Sequence, residues 1–600
     1  MRKENKVMST SFKLFGPTAA DGYKMGHGPL YPNGTNFAYG NGTPRADRLF
    51  KGSKSQSYLW DSKVVWFGIQ GVMREVHGLW HDSFFSKPKE QVIRRYARRM
   101  KNYLGEGMVD IEAMAALHDL GYLPVTILSV PEGSRLNMNV PGYVIYNTVP
   151  EFFWVVNYLE TLMSSLIWKM VCNATIAYEY RRILEHFADL TGSPRDFVAL
   201  QGHDFAFRGL SGPEDAARTG AGHLTSFVGT DTLPAIDYAE DMYFANSDVE
   251  FLAVSVRATE HAVATSNILY NMTKWLLEKG LTGGDLDPDA YGKAQLLAER
   301  QFILDAITVK CPTGIISLVC DSFDFWGVLT IVAPSLKEEI LARQPDANGL
   351  AKVVFRPDSG DPVEVICGVE VHNSLEFSEL VNNGKAKDVE YVLLNGMTYK
   401  ATRYENPISA EDAEKYYTAL GYLWAPVELN AEQIGAVECL WNTFGGTMTD
   451  KGFKVLHERV GLIYGDSITV ERTQEIMRRL MKKGFASCNW VLGIGSYTYQ
   501  HNTRDTFGYA IKATAVQVDD VFVELFKAPK TEGETNKKSA KGFLKVVKNE
   551  AGDFELLQEQ KFEIADLDTH SGELRPIYKD GTFPNEVTFE EVRATLREAA

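Results

Sequence analysis

From about residue 190 onward, short apolar runs alternate with longer stretches whose apolar residues recur at helical spacing. Each run ends in a polar or glycine-rich turn. FVALQGHDFAFRG leads into SGPEDAARTGAGHL, where Ser211 and Glu214 have capping-box spacing and Pro213 suits a first helical turn. EFLAVSVRATEH leads into a helix predicted near 262–279, and IISLVCDSFDFW, KVVFRPDSGDP, VGLIYGDS and NWVLGIGSY repeat the arrangement. Such alternation predicts an α/β fold with a parallel sheet. Polar residues collected at strand C-terminal ends predict the working face of a βα-barrel-like domain.

The pattern differs elsewhere. Residues 88–104, PKEQVIRRYARRMKNYL, predict an amphipathic surface helix with a solvated basic face. The most hydrophobic window, 151–172, carries Glu160 and Lys169, so it suits a buried helix rather than a span of roughly 20 apolar residues. Residues 366–450 lack the strand-end signature and read as an elaboration of the barrel. After 505 the period shortens to that of strands, in YAIKATAVQV, VFVELFKAP and GFLKVVKNEAGDFELLQ. Between them KTEGETNKKSAKG (530–542) predicts a mobile basic loop.

Composition narrows the function classes. At 600 residues the chain suits two domains or one large elaborated one. A net charge of −16 argues against a general nucleic-acid binder, which needs a dominant basic surface. The six cysteines are scattered without a CxxC pair, and the N-terminus MRKENKVMSTSFKLFG lacks the apolar core of a signal peptide. Both features predict free thiols in a reducing, cytoplasmic setting, with no membrane association.

Three kinds of group gather at the strand ends. The cations are Arg208, Arg356, Arg504 and Lys512, with Lys527 and Lys537 near or on the basic loop; the carboxylates are Asp231, Glu260, Asp321, Asp358 and Asp466. The third kind is glycine before a helix: Gly465 in YGDS, and Gly493 and Gly495 in LGIGSYT, where backbone N–H groups can cradle oxyanions. Singly, each is more often a turn or a structural ion pair. Together they suit a phosphorylated sugar, with guanidinium groups on phosphates and carboxylates on ribose hydroxyls or a magnesium ion.

The motifs DGYKMGHGPLYPNGTNFAYGNGTPR (21–45), HDFAFRG (203–209), HLTSFVGTDT (223–232), SVRATEH (255–261), RPDSGDP (356–362), YGDS (464–467) and TRD (503–505) followed by Lys512 run nearly end to end. In content and order they resemble the nicotinamide phosphoribosyltransferase family of type II phosphoribosyltransferases. The resemblance implies a βα-barrel-like catalytic domain over 190–505, elaborated near 366–450. It also implies a second α+β domain assembled from 1–189 and 506–600, and a head-to-tail homodimer with shared active sites. Its substrates would be nicotinamide and 5-phosphoribosyl-1-diphosphate, with Mg²⁺ held mainly by the diphosphate and ATP as a co-substrate.

By the same resemblance Phe205 stacks one face of the pyridine and Tyr23 of the partner subunit the other. Arg208 and Arg356 contact phosphate or ring. Asp358 and Asp466 hold the ribose region, while Gly465, Gly495 and Ser496 line the phosphate turn. Arg504 and Lys512, with Lys527 and Lys537, reach phosphates of the neighbouring site. His261 accepts a phosphoryl group from ATP, oriented by Glu260 or Asp321, and Asp231 reads the nicotinamide amide. The sequence departs from the family at Ser496 and Tyr497, which replace glycines, at Arg257, where a proline is expected, and in the long stretch 362–453. The alternatives are a nicotinate or other pyridine phosphoribosyltransferase, and a non-catalytic binding or signalling homologue.

Overall fold

The structure, a computed structural model, describes residues 12–404, 417–465, 467–527 and 540–599; Asp466 and Lys537 lie outside the described residues. Two compact units divide the chain. The first gathers the described residues of 1–179, 206–253 and 499–600, the second those of 180–205 and 254–498.

The first unit is built on a six-stranded antiparallel sheet. Its order is Val521–Glu524, Ala510–Val518, Thr35–Thr43, Tyr143–Asn147, Val125–Ser129, Arg575–Lys579. Strands from opposite ends of the chain therefore lie side by side, and their register sets Asn41 opposite Lys512. Residues 206–253, expected in the barrel-like domain, pack in this unit instead. Arg593, from the C-terminal helix Phe589–Glu598, is buried and donates to the carbonyls of Leu224 and Leu252, both at 2.7 Å, and of Phe227 and Phe251, both at 3.3 Å. One guanidinium thereby satisfies carbonyls in the middle and at the C-terminal end of the segment, which would otherwise be costly to bury.

The capping box at Ser211 and Glu214 does not form. Gly212 is the N-cap of helix Pro213–Leu224, at φ +126°, a conformation that glycine adopts without strain. The Ser211 N–H donates instead to Asp215 at 2.8 Å. The apolar window at 151–172 is broken into helix Val155–Tyr158 and the start of helix Glu160–Thr191, and Glu160 forms a 2.7 Å ion pair with buried Lys24. Among the described residues no helix is long and apolar enough to cross a membrane.

In the second unit six parallel strands run in the order Gly202–Asp204, Val491–Ile494, Val460–Tyr464, Ala351–Arg356, Gly314–Val319, Arg257–Ala258. From Arg257 to Ile494 each strand lies beside its successor in sequence, as in a βα-barrel. The series is open, because its two end strands do not pair with each other. Ala351, Val353 and Phe355 are buried while Lys352, Val354 and Arg356 are half-exposed, so alternation decides the face from which Arg356 emerges.

The elaboration after Pro362 is a small sheet of its own, ordered Val371–Asn373, Val389–Leu394, Met397–Arg403, Tyr422–Pro426, Tyr417–Ala419. Phe377 sits at the centre of its core with Val392, Ala401, Tyr422 and Trp424, its ring meeting those of Tyr422 and Trp424 edge-on at 5.1 Å. Its chain leaves and returns at one point. The N–H of Val369 donates to the carbonyl of Gln433 at 2.9 Å, and a side chain on Gly435 would lie 2.3 Å from the nitrogen of Gly368.

Candidate active site

Register places the reactive groups of the second unit. Val319 pairs with Arg356, so Asp321 and Asp358 are each the second residue beyond two paired strand ends. Asp321 is 4% exposed and uses both oxygens. Oδ1 faces His261 Nε2 at 3.1 Å; Oδ2 accepts the Asp358 N–H at 2.8 Å and the Ser359 hydroxyl at 2.7 Å. A carboxylate facing Nε2 favours the tautomer with hydrogen there, which leaves the Nδ1 lone pair as the nucleophilic position.

His261 opens helix His261–Lys279 and is 48% exposed, so its ring is anchored at one nitrogen and open to solvent. Of the two carboxylates expected to orient it, Asp321 is the one in contact. Glu260 is the exposed N-cap of the same helix and makes no capping bond. Arg356 Nη2 donates to the Thr259 carbonyl at 2.5 Å, which ties the strand end to the residue just before Glu260.

A second series of contacts continues from Asp358. A side chain on Gly465 would come within 2.8 Å of Asp358 Oδ1, and one on Gly493 would meet the Cα of Gly465 at 2.8 Å and Phe205 Cδ2 at 2.7 Å. These glycines are needed for close approach, and through them Phe205, Gly493, Gly465, Asp358, Asp321 and His261 form one unbroken line across the strand ends. Phe205 is half-buried, its N–H donates to the Ile494 carbonyl at 3.0 Å, and His203 lies against its ring at 4.6 Å. Gly495 has open space where a side chain would be, and Ser496 begins the short helix Ser496–Tyr499. The helix after YGDS starts later than its glycine: Thr469 caps Val470–Lys482.

The first unit holds the remaining candidates. Lys512 and Arg504 are joined by Arg45, which sequence reasoning did not single out although it closes the motif at 21–45. Burial lowers the Arg45 guanidinium from its usual range, with Arg504 and Arg48 adding repulsion. Partial burial likewise lowers Lys512, with Arg45, Lys24 and Arg504 adding to the effect and Glu160 opposing it. Cations gathered this closely repel one another and raise the local positive potential. Arg45 is held by its Nε–H to the Gly508 carbonyl at 3.0 Å. Tyr23 is 64% exposed with its ring 5.4 Å from that of His27. Arg208 is exposed in the turn Phe207–Gly209, and Lys527 is exposed beyond strand Val521–Glu524. Asp231 is exposed between buried Thr230 and Thr232.

Residues 200–566 match the nicotinate phosphoribosyltransferase (NAPRTase) family, more than half of the 600 residues. This chain belongs to that family. It is 42% identical over 587 residues, 98% of each chain, to the nicotinamide phosphoribosyltransferase of Acinetobacter baylyi. It is 28% identical over 525 residues, 86% of this chain and 92% of the other, to the nicotinamide phosphoribosyltransferase of Mycoplasma pneumoniae. The crystal structure of human nicotinic acid phosphoribosyltransferase superposes with a TM-score of 0.47 at 13% identity, covering 96% of this chain and 92% of that one.

One carboxyl near the dyad escaped the sequence reading. Glu299 shares the buried stripe of helix Pro288–Asp305 with Phe302 and Ile303, is 1% exposed, and has no hydrogen-bond partner at either oxygen. Burial, then the charges of Asp324 and Asp321, push it up to about 8. A carboxyl raised above its ordinary 4.5 stabilises the fold fully below that value, and the contribution is lost as pH rises towards and through 8. Glu299→Gln keeps the shape and removes the proton. Its unfolding free energy relative to wild type is expected to improve by on the order of 3 kcal/mol between pH 5 and pH 8. Guanidinium titrations across that range measure this, and a difference that stays constant would mean an ionised, partnered Glu299.

Proposed function

We propose that the chain transfers phosphoribosyl from 5-phosphoribosyl-1-diphosphate to nicotinamide, giving nicotinamide mononucleotide and diphosphate. The line of contacts from Phe205 through Asp358 to His261 is the observation that carries the chemistry, since it sets an aromatic face, a ribose-binding carboxylate and an anchored imidazole in series. The likeness to the Acinetobacter enzyme supports nicotinamide as the pyridine. The C1–oxygen bond breaks and its electron pair leaves with diphosphate, while the ring nitrogen's lone pair forms the C1–nitrogen bond. Phe205 and Tyr23 of the partner subunit sandwich the ring, holding its nitrogen in line. Asp358 accepts from ribose hydroxyls, Arg208 and Arg356 contact phosphate or ring, and Gly465, Gly495 and Ser496 offer backbone N–H groups. Arg45, Arg504 and Lys512, with Lys527, neutralise the departing diphosphate.

Among the described residues no group of three or more His, Cys, Asp or Glu side chains is placed to hold a metal ion. In this reading Mg²⁺ arrives on the diphosphate, where it would supply charge neutralisation. The six cysteines are all unpaired, five of them buried, which supports a reducing, cytoplasmic setting.

The assay mixes protein, Mg²⁺ and 5-phosphoribosyl-1-diphosphate with nicotinamide or nicotinate and identifies the mononucleotide formed. Nicotinamide can donate its amide N–H to Asp231, whereas nicotinate brings a second negative charge to the same carboxylate. A lost charge-assisted hydrogen bond costs about 1.5–3 kcal/mol, so nicotinamide is expected to win by more than tenfold. Asp231→Ser should cut nicotinamide efficiency and raise relative use of nicotinate. Preference for nicotinate in the wild type would establish the alternative pyridine, and no product from either would favour a binding homologue.

ATP enters through His261. Its Nδ1 lone pair attacks the γ-phosphorus, the bond to ADP breaks, and Asp321 stabilises the ring through Nε2–H. His261→Ala is expected to abolish ATP hydrolysis and leave slow, ATP-independent synthesis. Hydrolysis at the wild-type rate would assign the step to another residue.

The site is shared in a homodimer, with Tyr23, Arg504 and Lys512 serving the neighbouring subunit. Phe205→Ala and Arg504→Ala proteins, each inactive alone, should regain activity on mixing, since one heterodimer site carries neither lesion. No recovery after verified subunit exchange would place each site within one chain.

A further inference from the structure

His223 is wholly buried in helix Pro213–Leu224, and both ring nitrogens are engaged. Nε2 lies 2.9 Å from the carbonyl oxygen of Gly229, and Nδ1 lies 2.7 Å from the hydroxyl of Tyr499. A carbonyl only accepts, so Nε2 carries the hydrogen; Nδ1 of the neutral ring then accepts from the Tyr499 O–H. Phe227 stacks on the imidazole at 5.1 Å and Tyr499 meets it edge-on at 5.9 Å, so the ring has no room to turn.

The carbonyl it holds begins the segment that carries Asp231. Gly229 and Thr230 form a short strand, and the Thr232 N–H donates to Thr230 Oγ1 at 2.9 Å. Thr230 and Thr232 are buried, so the turn is pinned on its inner side and Asp231 between them is directed outward. No reactive role suits His223 itself, because it is sealed from solvent and both nitrogens are used.

We propose that Tyr499 and His223 form a two-bond relay that fixes Gly229 and thereby aims the Asp231 carboxylate, making both positioning residues for the choice of pyridine. This inference rests on the reading of Asp231 as the acceptor of the nicotinamide amide. The relay works by tautomer: the Tyr499 hydroxyl keeps hydrogen off Nδ1, and so keeps it on Nε2, where it binds the Gly229 carbonyl.

Tyr499→Phe removes the hydroxyl and keeps the ring. Long-range ¹H–¹⁵N spectra should show His223 as the Nε2–H tautomer in wild type and a mixed population in the variant. Discrimination for nicotinamide over nicotinate should fall at least fivefold, through a higher KM for nicotinamide, with the KM for 5-phosphoribosyl-1-diphosphate unchanged. In an Asp231→Ser background the same change should leave the ratio within twofold. If Tyr499→Phe does not fold, His223→Leu, which cannot donate to Gly229, replaces it in the same comparison. The proposal is overturned by an unchanged ratio in the single variant, or by an equal shift with and without Asp231. A failure of the Asp231 reading looks different: Asp231→Ser alone leaves the ratio unmoved. Exchange of the amide hydrogens of 229–231 then decides whether the relay holds the turn, through acceleration of at least tenfold in Tyr499→Phe or none.

Discussion

Asp321 is a single buried carboxylate asked to satisfy three donors from two directions. One oxygen anchors the imidazole that opens the helix after the Arg257–Ala258 strand, and the other holds the backbone and hydroxyl just beyond the Ala351–Arg356 strand. Three neighbouring strand ends are thus fixed to one another by a group smaller than a turn of helix. Arg356 braces the same junction from the other side through the Thr259 carbonyl. Because a buried ionised carboxylate is tolerated only when its oxygens are occupied, the His261–Asp321 pair and the Asp358–Ser359 turn stand or fall together.

The first unit solves a different electrostatic problem. A chain with a net charge of −16 here gathers a local group of cations without losing its overall acidity. It does so by crowding Lys24, Arg45, Arg504 and Lys512, with Glu160 as local counterweight. The antiparallel pairing of Thr35–Thr43 with Ala510–Val518 fixes one side of this cluster, so residues from the two ends of the chain need not search for each other on binding.

Much of this was legible in the sequence, and what was not has identifiable causes. Strand, polar turn and helix recur with clear periodicity, and that pattern carried the parallel sheet and the strand-end positions of Arg356 and Asp358, whereas Phe205 was singled out by the family resemblance. The placement of 206–253 was invisible because Arg593 binds main-chain carbonyls, which leave no trace in side-chain patterning. The capping box at Ser211 failed because the left-handed conformation of Gly212 moved the cap by one residue. The choice of Asp321 over Glu260 depended on which strand ends are in register, and Glu299 was hidden as one charged residue in an apolar stripe. That the series stays open was not legible either, since closure depends on curvature accumulated over several strands.

The glycines at the base of the elaboration have a consequence for how this chain tolerates change in length. Gly368 and Gly435 both sit at positive φ, with their backbones in contact, and the Val369 N–H reaches across to Gln433. The intervening residues leave at the end of helix Pro362–Cys367 and return at the start of helix Ala436–Phe444, and they have an apolar core of their own. Such a stem costs the fold nothing when the excursion grows, shrinks or is exchanged, since neither flanking helix has to move. The pair of glycines therefore acts as a graft junction: a point at which foreign structure can be sewn into the fold with one stitch.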